Sequence, residues 1–256
     1  MNVNFFKNGG NLTLNILVVC AHPDDETIGM GGTLKKLSKK HRVSVLFVAE
    51  GITARRKSGY VTIPQYDVSH EEMQKLQKEI KVRKTHAKKA LSILGINKMR
   101  FLDMPNQELD QIPLLKITKE IESEISKTKA NVIFTHHFND LNLDHRIIYE
   151  ATITAARPIP GSTISSILSF EIPASTDWKK PYQFSPNFYV DISDELKYKV
   201  RALKAYHYEI RRSPHPRSAQ MTEAIAKRWG SLSGYNAAEA FEIIMSRVSN
   251  VSKLNL

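Results

Sequence analysis

The chain has 256 residues and carries 37 Lys and Arg against 26 Asp and Glu, which gives a formal net charge of +11 at pH 7. With 41% hydrophobic and 25% charged residues, the composition is ordinary for a globular domain with a sizeable core. No apolar run approaches the roughly 20 residues that cross a bilayer, and the opening residues lack the apolar core of a signal peptide. The single cysteine, Cys20, excludes an internal disulfide. We therefore expect a cytoplasmic protein without a transmembrane segment.

The excess of positive charge favours anionic partners, of which nucleic acid is only one kind. The Lys and Arg residues are scattered along predicted helices, as at Lys75, Lys78 and Lys81, and no nucleic-acid-binding motif accompanies them. This distribution is typical of solvated helix faces. We expect no nucleic-acid partner, whereas the charge would suit a phosphorylated or nucleotide-linked small substrate.

The first predicted strand ends on a cluster of metal-binding side chains. Residues 16–20 are continuous β-formers, a pattern typical of a strand that is buried on both faces of a parallel sheet. The strand is followed at once by four polar side chains, His22, Asp24, Asp25 and Glu26. Ligands of open α/β sheets bind at the carboxyl ends of strands, so this cluster is a candidate site.

The next segments alternate between helices and strands. The hydrophobic periodicity predicts helices over 33–40, 71–94 and 113–127 and strands over 42–49 and 100–104. Glycines at 29, 31 and 32 are expected to let the backbone turn closely into the first of these helices. Residues 51–68 form a long polar loop after a strand end, which could fold over the site as a lid.

A second buried strand, 131–135, also ends on polar side chains: His136, His137, Asp140, Asn142, Asp144 and His145. A helix is predicted to follow over 146–156. The remaining pattern predicts strands over 165–172 and 188–192 and helices over 195–209, 219–229 and 237–248. No linker or internal repeat interrupts the chain. We expect one α/β domain over 1–256 with a C-terminal strand and helix extension, helical from about 193 to 256.

Two strand ends of one sheet can converge, and the residue types present there indicate a metal centre. His and Asp together suit a borderline divalent metal such as zinc, and His22, Asp25 and His145 would form a three-ligand set with a position open for water. Iron(II), cobalt and manganese accept the same set. Such a site lowers the pKa of a bound water towards ~7, and Asp24 is then a candidate general base. Glu26 is expected to cap the turn or the helix start.

The two clusters together resemble a known family. The stretch AHPDDE, 21–26, with DLNLDH, 140–145, is similar to the motifs of the PIG-L/LmbE-like family of zinc-dependent N-deacetylases. The resemblance covers nearly the whole chain, and the segments 134–158, 169–173 and 214–218 are similar to members associated with bacterial surface-polysaccharide and amino-sugar pathways. It implies a Rossmann-like, mostly parallel sheet flanked by helices. It also implies removal of acetyl from an N-acetylated sugar or its conjugate, and possible assembly into homo-oligomers.

Carried over residue by residue, the family pattern makes His22, Asp25 and His145 the zinc ligands and Asp24 the general base. Asp144 would orient an imidazole, as carboxylates behind metal ligands do. Hydrolysis would proceed by attack of zinc-bound water on the acetamide carbonyl, with Asp24 accepting the proton and passing it to the departing amine.

One position departs from the family pattern. Many relatives carry a histidine three residues before the last ligand, where this chain has Asn142. An amide can donate to an oxyanion but cannot act as a protonated acid. Either Asn142 suffices, or another histidine takes the role, with His215 as the first candidate and His137 as the second. Arg83 and Arg217 are candidate substrate-binding residues, because a guanidinium suits phosphate or carboxylate.

Other functions are also compatible with parts of the pattern. An amidase of the same chemistry could act on a small amide that is not a sugar. A dinucleotide-binding oxidoreductase could use the glycines at 29–32, but their spacing is not GxGxxG. For a basic nucleic-acid-binding module, the affinity for DNA or RNA should fall steeply with salt concentration. That function would not explain the two His/Asp clusters.

Overall fold

The computed structural model describes residues 13–53 and 69–247. The strands are β1 (Asn15–Cys20), β2 (Arg42–Ala49), β3 (Lys98–Met104), β4 (Val132–His136), β5 (Ser166–Phe170), β6 (Phe188–Asp191) and β7 (Ala238–Ser246). The helices are α1 (Asp25–Leu37), α2 (His70–Leu94), α3 (Leu114–Thr128), α4 (Leu143–Ala155), α5 (Leu196–Ala205) and α6 (Ala219–Ser233). A short 3-10 helix spans Leu109–Gln111. The predicted lid lies outside the described residues from residue 54 to its end.

The strands form one seven-stranded sheet in the order β3-β2-β1-β4-β5-β7-β6. Strands β1 to β5 are parallel, and β7 runs antiparallel to both of its neighbours, β5 and β6. This confirms the predicted α/β fold with a mostly parallel sheet. Because the chain moves outward from β1 to β3 and then returns to the other side of β1, the loops after β1 and β4 diverge. The crevice between them is the usual ligand position in such sheets.

Each central strand buries both of its faces. Along β1, Ile16 and Val18 pack with α1, α2 and α5, while Leu17 and Val19 pack with α3 and α4 on the opposite side. The side chains alternate because successive Cβ atoms of a strand point to opposite faces. The two apolar layers hold β1 and β4 side by side at the centre of the sheet. No helix of the described ranges is long and apolar enough to cross a membrane.

The predicted helix over 237–248 is wrong, because Ala238–Ser246 forms β7. Alanine, glutamate and methionine favour helices, but intrinsic propensity is weaker than tertiary pairing. Phe241 lies opposite Phe170 of β5 and opposite Phe188 of β6, so β7 joins two strands that are distant along the chain. The expected helical extension from about 193 to 256 therefore contains a sheet strand as well as α5 and α6.

The first helix begins at Asp25 and not near residue 33. The glycines lie inside α1, where Met30 leaves helical geometry with φ of −146°. These glycines allow side chains of other elements to pack directly against the backbone of α1. A Cβ on Gly32 would lie 2.7 Å from Ile192, and one on Gly29 would lie 2.5 Å from Phe170. The early start places Asp25 in the first turn of α1. In the same way α4 begins at Leu143, three residues before the predicted start, and this places His145 in its first turn.

Candidate active site

The ends of β1 and β4 bring His22, Asp25 and His145 together. One ligand atom from each of the three buried side chains lies within 4.8 Å of the others. The Oδ2 atom of Asp25 is 3.5 Å from Nδ1 of His22 and 3.5 Å from Nε2 of His145. We call this set the triad. Its members come from the loop after β1, the first turn of α1 and the first turn of α4.

A carboxylate stands behind each imidazole of the triad. Nε2 of His22 is 2.8 Å from Oδ2 of Asp144, and Nδ1 of His145 is 3.2 Å from Oδ2 of Asp140. Asp144 also accepts the backbone N–H of Gln107 at 2.8 Å. Because one nitrogen of each ring is held by its carboxylate, the other nitrogen is directed at Asp25. This arrangement sets ring orientation and ligand basicity in metal sites.

The triad fits a divalent metal on two observations. Oδ1 of Asp25 and Nε2 of His145 are buried and have no hydrogen-bond partner among the described residues, a costly state that a bound cation relieves. Burial lowers the pKa of His22, but its hydrogen bonds to Asp144 and Asp25 outweigh burial and raise the pKa to about 9. The two carboxylates thus favour positive charge at this position, carried either by a proton on His22 or by a cation that displaces that proton. Two imidazoles and one carboxylate match the open three-ligand sites of zinc, and iron(II), cobalt and manganese accept them too.

His136, at the end of β4, packs against the triad. Its Nε2 accepts the backbone N–H of Ala21 at 2.9 Å, which ties the end of β4 to the end of β1. Its ring stacks on that of His145 with centroids 4.0 Å apart. Burial, and then the neighbouring His145, lower the pKa of His136 to about 4. His136 is thus a neutral imidazole at physiological pH.

Asp24 lies next to the triad in a conformation that non-glycine residues rarely adopt, with φ of 128°. Such strained residues concentrate at functional sites. Its Oδ2 is 3.2 Å from Nη2 of Arg83 and 3.8 Å from Nη1 of Arg217. Arg83 is only 3% exposed and also pairs with Glu209, so its guanidinium holds carboxylates of the protein itself.

Glu26 occupies the turn as a structural acceptor. Its Oε2 accepts the backbone N–H of Asp24 at 3.0 Å, and its Oε1 accepts the hydroxyls of Thr27 at 2.6 Å and Tyr206 at 2.7 Å. Burial raises the pKa of the Glu26 carboxyl to about 7. These contacts hold the backbone of Asp24 in place from the side of α5.

The remaining predicted residues lie around this centre in different ways. The side chain of Asn142 caps α4 by accepting the backbone N–H of Asp144 at 2.9 Å. His137 instead faces β7, with its Nε2 3.3 Å from Oε2 of Glu242, and none of its described contacts reaches the triad. His215 accepts the backbone N–H of Arg217 at Nδ1, at 3.0 Å, and so lies on the loop that approaches Asp24.

Several supporting residues had no local signal in the sequence. The hydroxyls of Ser175 and Thr176 donate to Asp140, the latter at 2.8 Å, from a loop that follows β5. Glu209 and Tyr206 reach the site from the end of α5. Asp140 itself is visible in the sequence, because it opens the DLNLDH motif that contains His145, and its motif position indicates a carboxylate that orients the loop or a ligand.

A mostly parallel sheet with a buried His₂Asp set at its crevice defines an α/β protein with a candidate metal centre. The chain belongs to the PIG-L family, whose profile is described as GlcNAc-PI de-N-acetylase and matches residues 17–156, more than half of the chain. The matched region runs from β1 to the end of α4 and includes the whole triad. Family membership confirms the resemblance drawn from the two motifs.

A relative found by sequence and a solved structure with a similar fold are both consistent with this family. The chain is 26% identical over 239 residues to the diacetylchitobiose deacetylase of Thermococcus kodakarensis, covering 90% of this chain and 82% of that one. Its fold is similar to that of the N,N'-diacetylchitobiose deacetylase from Pyrococcus horikoshii, with a TM-score of 0.70, 20% identity and coverage of 94% of this chain and 88% of that one.

The same fold also occurs with another chemistry. The 4-carboxy-2-hydroxymuconate hydratase GalB from Pseudomonas putida has a TM-score of 0.69 at 17% identity, covering 93% of this chain and 99% of that one. At such identities the likeness establishes the fold alone. The reaction must therefore be argued from the site.

Proposed function

We propose that the protein hydrolyses the acetamido group of an N-acetylated amino sugar or sugar conjugate, releasing acetate and a free amine. The observation that carries this proposal is the triad, with its unsatisfied ligand atoms, next to the strained and buried Asp24. The family description and the similarity to two diacetylchitobiose deacetylases support a sugar as the substrate. Amino-sugar or bacterial surface-polysaccharide metabolism is the setting that we propose.

The triad residues His22, Asp25 and His145 would hold the metal, which we propose to be zinc. When bound, a divalent metal polarises an amide carbonyl and lowers the pKa of a coordinated water. Asp140 and Asp144 keep the two imidazoles aimed at that position through the contacts described above. Their role is to position ligands.

Asp24 is the proposed proton carrier. Its buried Oδ2 makes ion pairs with Arg83 and Arg217 but no further hydrogen bond among the described residues, and it can accept the proton of the attacking water. The Arg83 guanidinium fixes the carboxylate beside the triad. As the C–N bond breaks, the same oxygen can return the proton to the leaving amine, so that one carboxyl serves as base and then as acid.

His215 is the proposed oxyanion donor. Because its Nδ1 accepts the N–H of Arg217, the neutral ring carries its proton on Nε2 and can donate it in a hydrogen bond. Partial burial, then Arg217 and Arg211, lower the pKa of His215, which favours this neutral form at pH 7. Asn142 already uses its side-chain oxygen to cap α4. His215 would thus take the role of the histidine that many relatives carry at the position of Asn142.

The test is acetate release from a panel of N-acetylated sugars, nucleotide sugars and open-chain amides. Metal-stripped protein is compared before and after resupply with zinc, iron(II), cobalt or manganese. Asp24→Asn is the test variant, and Asp194→Asn, which alters an exposed carboxylate, is the matched control. We expect sugar-specific release that needs metal and Asp24. Release from open-chain amides alone would indicate the amidase, and release that persists in Asp24→Asn would refute the proton carrier.

A further inference from the structure

The two tryptophans of the chain lie in opposite environments. Trp229 is 5% exposed, and its Nε1 donates to Oε1 of Glu171 at 2.6 Å. Trp178 is 53% exposed. An indole exposed to this degree offers an apolar face to a ligand, and tryptophan is enriched where one part of a ring is buried and another contacts a partner.

Trp178 is linked to the candidate active site through its contact with His215 and through its own loop. Its ring packs edge-on to that of His215, with centroids 5.8 Å apart and planes at 76°. The His215 loop in turn places the Arg217 guanidinium 3.8 Å from Oδ2 of Asp24. On the other side, Ser175 and Thr176, close to Trp178 in the chain, hold Asp140 behind the triad. The exposed indole therefore lies close to a loop that contacts Asp24 and belongs to a loop that contacts Asp140.

The loop that carries Trp178 is held at several points. The side-chain amide of Asn139 donates to the carbonyl of Pro181 at 2.8 Å, and the backbone N–H of Leu141 donates to Ser175 at 3.1 Å. The hydroxyl of Tyr182 donates to Glu171 at 3.3 Å. A platform that is already in place loses little conformational entropy when a ligand settles on it.

We propose that the open face of Trp178 is a stacking platform for a pyranose ring of the substrate. This inference rests on the proposed function and deepens it. The C–H face of a pyranose is apolar, and its hydrogens are attracted to the negative face of an aromatic ring. The indole would thus recognise a ring, whereas an open-chain amide offers no flat face to cover it. Trp178 is in this sense a specificity-determining residue that binds substrate without entering the chemistry.

Steady-state kinetics separate this role from a structural one. For an N-acetylated pyranoside, Trp178→Ala should raise KM on the order of tenfold while kcat stays within about threefold. Trp178→Phe should recover most of the loss, because a flat ring remains, and Trp178→Leu should not. For any open-chain amide that is turned over, the wild type and Trp178→Ala should have equal KM values.

Intrinsic fluorescence gives a second readout that does not need turnover. Titrating metal-loaded Asp24→Asn protein with the N-acetylated pyranoside should change the emission of Trp178, while buried Trp229 supplies a constant background. The change should disappear in the Asp24→Asn, Trp178→Phe double variant. Acetate release with an unchanged KM in Trp178→Ala would overturn the platform and leave the proposed function intact. Absence of release from every sugar would refute the proposed function, and the fluorescence titration then decides the platform independently.

Discussion

Two buried charged clusters share helix α1, and they differ in how completely their polar atoms are satisfied. Halfway along the helix, Glu239 accepts the backbone N–H groups of Gly32 at 2.9 Å and Thr33 at 2.6 Å. The Lys199 ammonium completes that cluster at 2.6 Å. At the helix start, the triad leaves Oδ1 of Asp25 and Nε2 of His145 without hydrogen bonds among the described residues. A satisfied cluster stabilises the fold, whereas an unsatisfied one is suited to bind a ligand.

The Glu239 cluster has a structural cause. Met30 breaks the helical geometry of α1, so the backbone N–H groups that follow need new acceptors. A carboxylate at the start of the second helical segment supplies them and is also favoured by the helix dipole. Lys199 neutralises the buried charge. The cluster thus completes a kinked helix through hydrogen bonds and an ion pair within the protein.

The largest expected effect concerns catalysis. Asp24→Asn should lower kcat by about 10² to 10⁴, since it removes the proposed proton carrier and keeps its shape. The measurement is acetate release at saturating substrate. Metal content should stay close to wild type, and a parallel loss of metal would assign Asp24 to the metal site instead.

The second effect concerns stability and tests the satisfied cluster. Glu239→Ala should lower the free energy of unfolding by about 3–5 kcal/mol, because it leaves the Lys199 charge buried without its partner. Urea denaturation measures this change. The double variant Glu239→Ala, Lys199→Met removes both charges and should recover part of the loss. A single-variant cost below about 1 kcal/mol would contradict the role assigned to the pair.

Glu171 is a third buried carboxylate, which accepts hydrogen bonds from Trp229 and Tyr182. Among the described residues, it has no cationic partner as close as the one that Lys199 provides to Glu239. Burial raises the pKa of its carboxyl from 4.5 to about 7. The folded protein therefore binds more protons than the unfolded chain in this window, so stability falls as the pH rises from about 4.5 to 7. Glu171 should contribute about 3 kcal/mol to this fall. Glu171→Gln should flatten the profile of unfolding free energy against pH, and an unchanged slope would refute the shift.

The smallest effect concerns the carboxylates behind the imidazoles. Asp144→Asn should weaken zinc affinity by about 10- to 100-fold, because its hydrogen bond orients His22 and raises its basicity. Calorimetric titration of metal-stripped protein measures the change. Asp110→Asn, an exposed carboxylate, serves as the control, and equal affinities for the two variants would show that Asp144 has no influence on the metal.

The two strand ends were predictable because their signals are local. His22 and Asp25 directly follow a buried apolar run, and His145 follows another through a compact motif. The sheet order then brings them together, since β1 and β4 are neighbours. The strands that were predicted correctly followed from continuous apolar runs, and most helices followed from the 3.6-residue hydrophobic repeat; both are visible without any tertiary information.

The remaining features depend on contacts between distant segments. The nine residues of β7 contain strong helix formers, and only their pairing with β5 and β6 makes them a strand. Glycines inside α1 are explained by Ile192 and Phe170, which approach from other elements. The support of Asp140 by Ser175 comes from 35 positions away. Such pairings leave no periodic trace in a single sequence.

The most direct test of the contrast between the clusters is thermal unfolding of metal-stripped protein with and without added metal. A ligand that binds only the folded state stabilises by about 2.7 kcal/mol at 100 times its Kd, so Tm should rise with zinc, or with cobalt or manganese, in the wild type and in Glu239→Gln. His145→Ala should abolish the rise. An equal rise in His145→Ala, or no rise with any of these metals in the wild type, would contradict the assignment of the triad as a metal centre.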